Sequence, residues 1–247
     1  MKNYSAPPDL LVNKIILVTG AANGIGKAVA KSYAQHGATV ILVDKDEKGL
    51  EQTFDAIQEN KWPEPFLAPM DFLKSGPPQF EELADSIEKE FDHLDGITHC
   101  AGWLGTLTPL QLFNDEVWSK VLMVNLQAPY WLTRACFDLL SKAKNASVLF
   151  TTSDVGREPR AYWGAYSVAA AGLENLAATW SDELEDQNNF RINTFDPGPV
   201  LTKLRTNAYP GDDPDKLPKP ESVTPMYLYL MGIDSKDIRG QKLSVND

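Results

Sequence analysis

The chain has 247 residues, 43% of them hydrophobic and 23% charged, with a formal net charge of −11. That length can bury a sizeable core as one domain, and the composition is ordinary for a soluble globular protein. The negative balance argues against a nucleic-acid surface and against docking on an anionic membrane.

Met1 to Leu11 is polar and contains prolines, without the apolar stretch of a signal peptide, and no later run has the length needed to span a bilayer. A cytoplasmic protein is expected. From Ile15 onward short β-branched runs alternate with longer amphipathic segments, the pattern of βαβ units around a parallel sheet. Strands are predicted at 15–19, 39–43, 65–70, 96–100, 147–152, 191–195 and 240–245, and helices at 25–36, 46–60, 79–91, 115–141, 162–185 and 221–231. Several of the strands are apolar without alternation, as in strands covered on both faces. Pro77-Pro78 separates the third strand from its helix. Residues 202–222 hold Pro210, Pro214, Pro218 and Pro220 and are too long for a plain connection. They follow the sixth strand and so leave the carboxyl edge of the sheet, where α/β proteins bind ligands, which predicts a substrate lid. No repeat or linker divides the chain. The expected architecture is a single α/β domain over residues 1–247, a doubly wound parallel sheet of about seven strands with helices on both faces. Cys100 and Cys136 lack CxxC or His/Cys spacing, so no metal site is expected; no disulfide is expected either, because the rest of the chain looks cytosolic.

The first strand runs straight into Gly20-Ala21-Ala22-Asn23-Gly24-Ile25-Gly26, and a helix follows. Glycines allow a tight turn and the approach of backbone amides to a pyrophosphate, and a helix N-terminus adds partial positive charge. Position between strand and helix makes this a dinucleotide site rather than a chance glycine string. Asp44 ends the second strand, eighteen residues after Gly26. A carboxylate there can accept from the ribose hydroxyls and would repel a 2′-phosphate, which favours NAD(H). Lys45 and Lys48 pull the other way and leave NADP(H) open. Asp44 could instead be the N-cap of the next helix.

The Thr19-Gly20-x-x-x-Gly24-x-Gly26 spacing resembles that of the short-chain dehydrogenase/reductase family, and the likeness continues over nearly the whole chain. Asp71 matches the family's adenine contact. His99-Cys100-Ala101-Gly102 matches its Asn-Asn-Ala-Gly strand end, with both asparagines replaced. Asn125 matches its structural and catalytic asparagine, Ser153 its carbonyl-binding serine, and Tyr166, thirteen residues on, its catalytic tyrosine. Arg191-Ile192-Asn193 and Pro197-Gly198-Pro199-Val200-Leu201-Thr202 match elements near the nicotinamide. Asp9-Leu10-Leu11 and Trp163-Gly164-Ala165-Tyr166 are similar to a YciK-like bacterial branch of the family. The resemblance implies a Rossmann-like fold and an NAD(P)-dependent oxidoreductase interconverting a ketone and a secondary alcohol. It implies catalytic roles for Ser153, Tyr166 and Asn125. It implies cofactor contacts from Gly20, Asn23, Gly24, Ile25, Gly26, Asp44, Asp71, Ala101, Gly102, Tyr166, Pro197, Gly198, Val200 and Thr202. Position 23 is often basic in family members that prefer NADP; Asn23 adds to the case for NAD.

One departure matters most. Four residues after Tyr166, where the family keeps a lysine, stands Ala170. That lysine holds the nicotinamide ribose and favours the tyrosinate. A positive charge at roughly 5 Å, at an effective dielectric near 20, favours the anion by about 3 kcal/mol, on the order of two pKa units from a free value of about 10. Three readings stay open: an engineered knockout, a natural member that has lost catalysis and kept dinucleotide binding, or a site to which another cation, such as Lys203 or Arg157, contributes. The expected function is therefore oxidoreduction attenuated or abolished by Ala170, with a dinucleotide-binding regulatory or scaffolding protein as the alternative. Trp103, Leu104, Arg157, Tyr162, Trp163, Leu204 and Tyr209 are expected near a small-molecule carbonyl or alcohol substrate. His36, His93 and His99 show no partner spacing and are expected in surface or strand-end roles. The helices at 115–141 and 162–185 are apolar on more than one face and need cover on two sides; the resemblance to the family implies that a homodimer or homotetramer supplies it.

Overall fold

Residues 4–187 and 189–245 are described in the computed structural model. The apolar runs become β1 (Ile15–Thr19), β2 (Thr39–Asp44), β3 (Phe66–Pro69), β4 (Gly96–His99), β5 (Ala146–Thr151), β6 (Phe190–Asp196) and β7 (Lys242–Ser244). They form one parallel sheet in the order β3-β2-β1-β4-β5-β6-β7. β1 pairs on both sides, Val18 with Leu42 of β2 and with Thr98 of β4. The winding reverses between β1 and β4, so their carboxyl ends part into a crevice.

Successive strand residues point to opposite faces. Ile16, Val18, Val40 and Leu42 enter a core with Val29 and Tyr33 of α1 (Gly24–Gln35), Leu50 and Ile57 of α2 (Glu47–Glu59) and Tyr227 and Leu230 of α9 (Thr224–Met231). Leu17, Ile41, Val148, Phe150 and Ile192 face the other core, with Phe80 and Ile87 of α3 (Pro77–Phe91), Leu132 of α5 (Ala128–Ala135) and Leu173 and Ala177 of α7 (Gly164–Glu183). This is the doubly wound sheet, helices on both faces, that the alternation predicted. Among the described residues no helix is long and apolar enough to cross a membrane.

Three expectations are corrected. The long helix at 115–141 is instead α4 (Asp115–Leu122), a π-helical turn at Met123–Gln127, α5, and α6 (Phe137–Ser141). Pro129 has no N–H to return to the carbonyl of residue 125, and a wider turn absorbs the lost bond. Residues 202–222 are not a bare loop. Thr202 caps α8 (Lys203–Ala208) by accepting from Arg205 N at 3.1 Å, single 3₁₀ turns form at Pro214–Lys216 and Pro220–Val223, and Leu201 N donates to Pro218 O at 2.8 Å, closing the base of the excursion. Arg191 does not lie near the carboxyl edge. It lies near the start of β6 fully buried, donating to Asn145 Oδ1 at 3.0 Å, Leu230 O at 3.2 Å and Met231 O at 3.3 Å, so it fastens the end of α9.

Candidate active site

The glycine loop is shaped by close backbone approach. Gly20 turns at φ +70°, and a Cβ there would lie 2.8 Å from Ala101 N; a Cβ on Gly26 would lie 2.2 Å from Gly20 O. Thr19 Oγ1 accepts from Cys100 N at 3.2 Å and Ala101 N at 3.1 Å, so the end of β4 is held against the loop. Asn23 is the N-cap of α1 and its side chain makes no capping hydrogen bond there, which leaves first-turn amides to the crevice. A cradle that any side chain would fill, at a helix N-terminus, suits the pyrophosphate of a dinucleotide.

Asp44 lines the same crevice, as do Lys45 and Asp71. Its Oδ2 accepts from Ala22 N at 3.2 Å and its Oδ1 from Asp46 N at 3.0 Å. The N-cap of α2 is Asp46, accepting from Gly49 N at 3.2 Å, so the alternative role considered for Asp44 falls to its neighbour. Lys48 does not line the crevice, whereas Lys45 does. Asp71 Oδ1 accepts from Leu73 N at 3.1 Å and its carboxylate meets Lys74 at 3.6 Å.

The crevice continues as a cavity of about 710 Å³ that also gathers Ile25, Gly102, Asn125, Ser153, Tyr166, Pro197, Gly198, Val200 and Thr202. Asn125 sits in the π turn. Its Nδ2 donates to Trp103 O and Val121 O, each at 2.8 Å, and its Oδ1 accepts from Trp103 N at 2.9 Å. Its amide thus pins the loop after β4 to the bent helix. Ser153 follows β5 and its hydroxyl donates to Asp154 Oδ1 at 3.2 Å. Tyr166, in the first turn of α7, packs its ring 5.7 Å from that of Trp163. Burial, then the charges of Asp196 and Asp154, push its hydroxyl up to about 12. Asp196 ends β6, is 7% exposed and accepts from Gly198 N at 2.9 Å; burial raises its carboxyl above the usual range, against the pull of that amide. The charges acting on Tyr166 are both negative.

Ala170 lines the cavity one helical turn from Tyr166. Arg157 does not bring its charge to this position. Its Nε donates to buried Glu174 Oε1 at 2.7 Å and its Nη2 to Leu243 O at 3.3 Å, and it does not line the cavity. Lys203 does line the cavity, on an exposed face of α8.

At the far end Leu104, Val155 and Trp163 form a small core with Leu204, Ala208 and Tyr209. Trp103, Leu104, Trp163, Leu204 and Tyr209, expected near the substrate, all line the cavity. Tyr162 is not: it is 58% exposed, at φ +76°, and off the cavity, because the chain turns outward before α7. Sequence reasoning passed over Asp154, Arg160 and Asp196. Arg160 bridges Asp154 and the Tyr209 hydroxyl, the latter at 3.1 Å. The Arg205 guanidinium lies 3.7 Å from the Tyr209 ring centre and 2.6 Å from Asp212. Adjacency to Ser153 and to Pro197-Gly198 was the available signal for the two aspartates. His99 is buried, stacked on Phe150 at 4.8 Å, with Nε2 2.8 Å from Thr133 Oγ1, and burial lowers its pKa to about 3. His36 and His93 contact Ser32 O and Asp95.

A short chain dehydrogenase family model matches residues 14–213. An uncharacterized oxidoreductase, YciK, of Escherichia coli (strain K12) is 40% identical over 234 residues, 95% of this chain and 92% of that protein. A short chain dehydrogenase from Pseudomonas syringae superposes with a TM-score of 0.96 at 44% identity, covering 98% of both chains. One from Shigella flexneri 2a str. 301, complexed with NADP, superposes with a TM-score of 0.94 at 38% identity, covering 98% of this chain and all of the other (100%).

Proposed function

Since the chain belongs to the short-chain dehydrogenase family, we propose that it is a nicotinamide-dependent oxidoreductase that interconverts a ketone and a secondary alcohol, with turnover attenuated by Ala170. The observation that carries this reading is the meeting of Ser153, Tyr166 and Asn125 with the glycine loop in one cavity. First-turn amides of α1 and the close-packed Gly20 and Gly26 would hold the pyrophosphate, and Asp44 and Asp71 would line the adenosine end. When bound, the nicotinamide supplies or accepts hydride. In reduction the Tyr166 hydroxyl gives its proton to the substrate oxygen; in oxidation the tyrosinate takes it back. Ser153 turns from Asp154 to hold the same oxygen and stabilise its developing charge. Asn125 keeps the Trp103 loop in place. Leu104, Trp163, Leu204 and Tyr209 shut water from the reacting carbon, suiting a partly aromatic pocket for a cyclic or acyl ketone.

The preferred cofactor in this reading is NAD. It rests on Asp44, whose carboxylate would repel a 2′-phosphate; the Shigella relative holding NADP sets the opposite expectation, and measured affinities for the two decide. Tyr130 and Val168, exposed on α5 and α7, suit packing against a second copy, so a homodimer or homotetramer is expected in sedimentation. A second reading, dinucleotide binding without turnover, is favoured by Tyr166 being held protonated by burial and, after it, by the negative charges of Asp196 and Asp154. A panel of ketones and alcohols assayed with NADH, NADPH and their oxidised forms, on this chain and on Ala170→Lys, separates the two. Turnover in either chain supports the enzyme; dinucleotide binding with no turnover in both supports the binding protein.

A further inference from the structure

Ala170 lines the cavity beside side chains that offer acceptors without a matching donor among the described residues. Thr194 and Asp196 are alternate residues of β6, and Thr194 pairs with Phe150 of β5, so Thr194, Asp196, Phe150 and Thr152 share the face of the sheet that α7 covers. Thr152 and Asp196 line the cavity together with Ala170 and Tyr166. Thr152 is 7% exposed and Thr194 fully buried, and neither hydroxyl has a hydrogen-bond partner among the described residues. A buried hydroxyl left unpaired costs about 1–3 kcal/mol; Thr194 does not line the cavity, but Thr152 does, and with the buried Asp196 carboxylate on the same wall it marks a place suited to receive a donor. Asp196 spends one acceptor position on Gly198 N and, as a carboxylate, has others to offer. The charged groups facing it are Asp154, Arg157 and Glu174. Arg157 is committed to Glu174.

We infer that the space beside Ala170 binds a primary ammonium group, donating to Asp196, Thr152 and the Tyr166 oxygen. The inference rests on the oxidoreductase reading only for its consequence. A primary ammonium has three N–H donors, and these three side chains all line the cavity and each carries an acceptor oxygen. It also brings a positive charge next to Tyr166, where the chain itself supplies only negative ones. The group arrives either on the substrate, as in an amino ketone or amino alcohol, or as a free small amine. A quaternary ammonium carries the charge without the donors and does not bind.

Saturation-transfer NMR on the full chain without cofactor, using ethylammonium chloride at millimolar concentration with tetraethylammonium and sodium chloride controls, tests the site directly. The expected result is ethylammonium signal in this chain, lost in Asp196→Asn, which keeps an acceptor for Gly198 N, and lost in Ala170→Lys, whose own ammonium fills the space. Signal of equal strength in all three chains, or from tetraethylammonium as well, or none in this chain, overturns the inference. Turnover then separates the sources: ethylammonium raising the rate on simple ketones by roughly tenfold indicates a free amine. Preference of the same size for an amino ketone over its alkyl counterpart indicates a substrate-borne one. Active Ala170→Lys without ethylammonium binding to this chain removes the ammonium site and leaves the oxidoreductase reading standing. Ethylammonium binding with an inactive Ala170→Lys does the reverse.

Discussion

The two ends of the cavity are made of different materials. Around the glycine loop the surface is backbone: the turn at Gly20, the amides of α1, and Ala101 held by the Thr19 hydroxyl. Around Tyr166 the surface is side chains, and its chemistry depends on which ones are present. Backbone geometry survives substitution at a neighbouring helix position, whereas the acidity of Tyr166 does not. On the proposed reading, alanine rather than lysine at position 170 therefore separates holding a dinucleotide from using it.

Ala170→Lys sharpens that separation most. Turnover is expected to rise on the order of a hundredfold near neutral pH, with dinucleotide affinity changing far less. The pH profile carries the sign. With Tyr166 near 12, the tyrosinate fraction and hence alcohol oxidation by the present chain should climb about tenfold per pH unit without levelling below pH ~10. The variant should level earlier, so its advantage shrinks as pH rises. A gain equal at every pH means the lysine acts by positioning alone.

Gly26→Ala attacks the other end. A methyl group 2.2 Å from Gly20 O forces the backbone apart. With overpacking worth about 1–3 kcal/mol, calorimetry should show dinucleotide affinity falling by tens-fold. Tyr166 should titrate as before, and a shift in its pH profile would show that the two ends are coupled. Asp44→Ala has a smaller effect: the ratio of NAD to NADP affinity should fall by roughly tenfold, since the repelling carboxylate is gone. An unchanged ratio would place Asp44 away from the ribose. Least affected should be Arg160→Gln, which loosens Asp154 and Tyr209 together. A few-fold rise in KM, from a pocket less firmly closed, is expected with kcat nearly constant. A fall in kcat alone would place Arg160 with Tyr166 instead.

The sheet was legible because buried parallel strands leave apolar runs, and the glycine loop because φ +70° at residue 20 and the contact at residue 26 tolerate little else. The break at Met123–Gln127 was hidden because amphipathic spacing persists through a π turn; Pro129 was the only mark of it. Asp196 and Asp154 were passed over because their influence on Tyr166 comes from converging strand ends, a distance that sequence order does not contain. Arg157 looked available for the same reason: nothing in the chain order shows that Glu174 and Leu243 hold it.

The bond from Leu201 N to Pro218 O has a thermodynamic consequence. It closes a loop before any ligand arrives, and Arg205, Tyr209 and Asp212 already fill part of its interior. The entropy of closing a chain grows only slowly with its length, and here that loss is borne by folding. Ligand binding to this cavity should therefore show a modest entropic penalty. Hydrogen exchange across 202–222 should slow as one block on ligand addition, with the amide of Leu201 protected from the outset.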